Sequence, residues 1–108
     1  MIVLEMDASQ ALPKLLESGF HFRSLETYPR FVGVERDHFV ALLETTAEGH
    51  LRWSGASGYL VGDRIAVLVE RRGQSVFQSK REEIPASPET LGAYHRFRQD
   101  LRAILGRS

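Results

Sequence analysis

The sequence predicts a single α+β domain over residues 1–108: one antiparallel β-meander of four to six strands packed against a C-terminal helix, with a short N-terminal helix. Three observations predict it. The segment from Ser87 to Gly106 carries helix start and stop residues around one apolar stripe. The middle of the chain breaks into short apolar or alternating runs separated by turn residues. The length of 108 residues suits one domain and one core.

The elements follow in chain order. Met1 to Met6 reads as an edge strand or a helical lead-in. Ser9 is a capping residue, Leu12, Leu15 and Leu16 share a helical face, and Gly19 stands where a left-handed C-terminal residue belongs. Pro13 fits only a first turn, so the regular helix is expected to begin near Leu12. Phe20 is placed to fold back on Leu15 or Leu16.

Strands are then expected at Phe31 to Glu35, His38 to Thr45, His50 to Ser54, Tyr59 to Val61, Ile65 to Arg71 and Ser75 to Lys80. The turns between them fall at Arg36-Asp37, Glu48-Gly49, Gly62-Asp63 and Gly73-Gln74. The run Asp37 to Thr46 also has helical spacing at Phe39, Leu42 and Leu43, and strand is the reading favoured. Ile65 to Val69 is apolar on both faces, which implies a central, covered strand. Ser75 to Lys80 is more polar and is expected at an edge. Ser54-Gly55-Ala56-Ser57-Gly58 is expected to be a bulge or open loop.

In the last segment Ser87 is the N-cap, Pro88 the first helical residue and Glu89 the acid at the positive end of the dipole. Leu91, Tyr94, Phe97, Leu101, Ile104 and Leu105 form the apolar stripe; His95, Arg96, Gln99 and Arg102 form the wet face. Gly92 inside this helix suggests a close backbone approach to the sheet.

Composition excludes several functions. Fourteen basic and fourteen acidic side chains cancel, so no large basic field draws the chain to nucleic acid or to a membrane. With no Cys, disulfide frameworks, zinc ribbons, iron–sulfur clusters and thiol catalysis are excluded. No apolar run approaches the ~20 residues that cross a bilayer. The first residues lack the pattern of a signal peptide, and the expected location is cytoplasmic. His21, His38, His50 and His95 lie far apart without metal-ligand spacing. The Ser54 to Gly58 segment departs from the Gly-x-Ser-x-Gly nucleophile turn by one spacer. Arg71, Arg72, Lys80 and Arg81 are interleaved with Glu70, Glu82 and Glu83, so the local net charge is small.

One constellation has chemical content. Gly62-Asp63, followed one hairpin later by Gln78-Ser79-Lys80-Arg81, resembles the signature of the PD-(D/E)xK nuclease superfamily, in the variant with Gln for the second acid, as in Mrr-like restriction enzymes. The resemblance covers residues 62–81. It implies Asp63 as a Mg²⁺ ligand, Gln78 and Lys80 on one face of a strand, and Lys80 orienting or deprotonating the attacking water.

The residues otherwise present no complete catalytic set. The reading favoured is a non-catalytic protein-interaction or binding module without a cofactor, its partner another protein or a second copy in a homodimer. The alternative is the metal-dependent nuclease of Asp63, Gln78 and Lys80. A second alternative is a carrier of a small apolar ligand in a cavity under the sheet.

Overall fold

The computed structural model, which describes residues 4–80 and 82–106, has eight strands and two helices, with seven of the strands in succession between the helices. They are β1 (Leu4–Asp7), α1 (Ala8–Glu17), β2 (His21–Arg23), β3 (Val32–Arg36), β4 (Phe39–Thr45), β5 (His50–Val61), β6 (Arg64–Arg71), β7 (Gln74–Gln78), β8 (Glu83–Pro85) and α2 (Pro88–Leu105). The sheet runs β2-β3-β4-β5-β6-β7-β8, antiparallel throughout. β1 pairs with β5 as well, Leu4 opposite Trp53 and Asp7 opposite His50. One edge of the long β5 therefore serves two strands: β1 along its first residues and β6 along Tyr59 to Val61. The fold class is as expected, and the strand number is higher. Strands β2 and β8 have three residues each, too few to show alternation, and the runs at His50 and Tyr59 are one strand interrupted by a bulge. Of the expected lead-in, Leu4 to Met6 is strand; Met1 to Val3 lie outside the described residues.

α1 starts earlier than expected. Asp7, not Ser9, caps it, accepting the backbone N–H of Ser9 at 2.9 Å. Pro13 consequently sits inside the helix, where the Ser9 carbonyl has no N–H to receive. The end is as expected. The N–H of Phe20 reaches Leu15 O at 3.0 Å and that of Gly19 reaches Leu16 O at 3.1 Å, with Gly19 at φ +86°. Leu15 and Phe20 are both fully buried in the core.

The inner face of the sheet closes on the two helices. Phe39 lies at the centre of the core, its ring 5.2–6.0 Å from those of Tyr59, Phe77, Tyr94 and Phe97. Trp53, Leu43, Val34, Leu15 and Leu101 complete a single cluster. A smaller cluster covers part of the outer face. Here Leu25, Tyr28 and Phe31, from the connection between β2 and β3, pack with Val40, Leu42, Leu60 and Ile65.

Two strands differ from expectation. The most buried strand is β4, whose residues Phe39 to Leu43 are all buried. In β6, expected to be covered on both faces, only Ala66 is buried and Val67 is 49% exposed. The physical reason is reach: the covering segment contacts Ile65 and goes no further along the strand. β7 is not an edge, because β8 pairs beyond it, and Val76 and Phe77 are buried. The bulge is where the glycines put it. Ala41 pairs with Ser57 and Leu43 with Trp53, so β5 carries two extra residues there.

α2 begins as expected, Ser87 Oγ accepting the N–H of Thr90 at 3.1 Å, and buries Tyr94, Phe97, Leu101 and Leu105. Gly92, however, marks no close approach: a Cβ added there would meet nothing within 4 Å. The close approach is at Gly58, where an added Cβ would stand 2.3 Å from Ala66 O.

Candidate functional site

Asp63 lies in the tight turn joining β5 and β6, and its carboxylate accepts a hydrogen bond from the Thr27 hydroxyl at 3.1 Å. Together with the N–H of Ile65, which donates to Tyr28 Oη at 3.4 Å, it fastens the β2–β3 connection to the sheet. Gln78 is the last residue of β7, opposite Val67 on one side and Glu83 on the other. Lys80 stands beyond the strand, exposed in a bend, so Gln78 and Lys80 do not share one strand face. Arg81 lies outside the described residues. Among the described residues no three His, Asp or Glu side chains come together as metal ligands.

Several charges on the rest of the sheet surface are paired locally. Arg71 of β6 and Glu83 of β8 bridge across β7, over the buried Val76 that shares their face. His50 Nδ1 lies 2.8 Å from Glu5 Oε2, and Arg52 Nη2 donates to Glu44 Oε2 at 3.0 Å. Grooves of about 630 Å³, between α1 and α2 beside Arg36, and about 680 Å³, beside Arg71 and Glu83, are lined mainly by polar and charged side chains. A third groove, of about 440 Å³ beside Pro85, Ala86, Pro88 and Leu91, is lined mainly by apolar atoms.

Two features were not legible in the sequence. The first is a polar cluster inside the bulge of β5. Arg98 Nη1 donates to Gly55 O at 3.1 Å, to Ser57 Oγ and to Tyr94 Oη at 3.4 Å; Ser57 Oγ and Tyr94 Oη lie 2.8 Å apart. Its guanidinium carbon is 5.1 Å from the Trp53 ring centre. These partners lie up to 43 residues away in sequence, so no local pattern announces them. The second is on α1, where Leu12 and Leu16, one turn apart, are 38% and 55% exposed while Ala11 and Leu15 are fully buried. The spacing was visible; which leucines faced outward depended on where α2 and the sheet met the helix.

The fold thus defines an α+β protein in which a curled antiparallel sheet closes on a C-terminal helix, and no described helix is long and apolar enough to cross a membrane. No family model, no curated protein and no solved structure matches the chain.

Proposed function

We propose that the chain is a non-catalytic, cytoplasmic protein-interaction module whose contact surface is the outer side of α1, and that it pairs there with a second copy of itself. The observation that carries this reading is the exposed pair Leu12 and Leu16. Two leucines stacked one turn apart form a ridge of the kind a partner helix covers. Single exposed apolar residues are ordinary on protein surfaces; an adjacent pair on a short helix is a better docking element. A zero net charge removes long-range repulsion between copies.

The test is the molar mass of the wild type and of a Leu12→Ser/Leu16→Ser variant by light scattering and sedimentation. The wild type is expected as a dimer and the variant as a monomer. The two changes together should cost the monomer about 1 kcal/mol, chiefly in helix propensity, too little to unfold it. A wild type that stays monomeric at about 100 μM, a concentration far above a micromolar Kd, overturns the pairing.

A further inference from the structure

We propose that Arg98 anchors a binding site for a small oxyanion, a carboxylate or phosphate group, received on the Nε/Nη2 edge of its guanidinium. The argument starts from the arginines. Three among the described residues are half-buried: Arg36, Arg52 and Arg98. Arg36 is neutralised by Asp100 at 2.8 Å and Arg52 by Glu44 at 3.0 Å. Arg98 is half-buried against Trp53 and Tyr94 and has no carboxylate partner among the described residues. Its ring contacts and neutral acceptors leave the charge without a counter-ion, which an oxyanion on the open edge would supply.

The geometry around Arg98 is selective. All three acceptors, Gly55 O, Ser57 Oγ and Tyr94 Oη, are taken by Nη1 alone. They fix the plane of the guanidinium and leave Nε and Nη2 without an acceptor among the described residues. That pair of parallel N–H groups is the side-on fork that binds a carboxylate or phosphate through two oxygens. Arg102, one turn after Arg98 on α2, is exposed and adds positive potential along the same side of the helix. The site differs in place and residues from the α1 surface proposed above and does not rest on it.

The chain has one tryptophan, Trp53, and the guanidinium of Arg98 lies on its ring, so the protein carries its own reporter. Sodium phosphate and sodium acetate are each titrated against sodium chloride at equal ionic strength. Trp53 emission and the Arg98 Nε–H resonance in a ¹H–¹⁵N spectrum are followed. The expected result is a saturable change in both signals, half-complete on the order of 1 mM. Saturation with phosphate alone assigns a phosphate ligand, with acetate alone a carboxylate ligand, and with both a general oxyanion site. Arg98→Lys keeps the charge but loses the fork and should bind at least about tenfold more weakly. Arg102→Gln, an exposed change outside the fork, should bind within about twofold of wild type, as a loss of screened surface charge predicts. A change that fails to saturate, that chloride reproduces, or that persists in Arg98→Lys overturns the site. Should Arg98→Lys not fold, as judged by circular dichroism, the wild-type Nε resonance decides alone: no anion-specific shift overturns the proposal.

Discussion

A single hydrogen is the whole side chain at Gly58 and at Gly92, and the two positions make opposite demands on it. At Gly92 a methyl group would enter open space on a regular helix. Gly92→Ala should therefore raise stability by about 1 kcal/mol, the helix-propensity difference, seen as a higher urea midpoint at unchanged slope. At Gly58 the same methyl would meet the backbone oxygen of Ala66 at 2.3 Å and Ile65 Cγ2 at 2.6 Å. Gly58→Ala should cost about 1–3 kcal/mol or more, because a paired backbone carbonyl cannot turn aside. Asp7 offers a pH test. Its carboxyl is held below the ordinary value of 3.8, first by the Ser9 hydroxyl and then by the Ser9 backbone N–H. A carboxylate with a depressed folded-state pKa stabilises fully above its unfolded value and loses that contribution as pH falls through the folded one. The stability difference between wild type and Asp7→Ala should accordingly be constant near neutrality and shrink below pH 3.8, read from urea midpoints across the acid range.

Among the elements, the β2–β3 connection depends on few ties. Thr27–Asp63 and Tyr28–Ile65 fasten it, and Leu25 seats it on Val40 and Leu42. Removing one hydrogen bond with Asp63→Ala should cost about 0.5–1.5 kcal/mol, with faster amide exchange concentrated in residues 24–31. The elements also separate what the sequence contained from what it did not. α2 was legible because 18 residues repeat one stripe between a serine cap and a terminal glycine. The irregularity in β5 was legible as a bulge or an open loop, because Ser54-Gly55-Ala56-Ser57-Gly58 is too flexible for a plain strand. β2 and β8 were not, since three residues cannot establish a period. The misreading of β6 has a different origin. Val67 has the residue type of a covered strand, and its exposure follows from the length of another segment, the one that stops at Ile65. The site followed the same rule. Asp63 was recognised as a turn residue, while its bond to Thr27, 36 positions away, needed the fold. Arg98 lies in sequence between Arg96 and Gln99 of the wet helix face, and nothing local marks it out.

For the whole molecule, balanced charge is a property of local pairing as much as of composition. Arg23 with Glu35, Arg52 with Glu44 and Arg71 with Glu83 join neighbouring or next-neighbouring strands, and Arg36 with Asp100 joins the sheet to α2. The exposed pairs among them contribute little each and are screened by salt, so stability should rest mainly on the aromatic core. The shared edge of β5 has a further consequence, for the order in which the chain assembles. From β2 to β8 every strand pairs with its sequence neighbour, so the meander forms by closing short loops in succession. β1 is the exception: Leu4 waits for Trp53, and its place exists only once β5 is laid down against β4. Met6→Ala, at a buried position of β1, should then speed unfolding while leaving the refolding rate nearly unchanged, the kinetic mark of a contact made after the transition state. β1, ahead of the meander in the chain, is by this logic the last strand to join it, and it carries α1 into place with it.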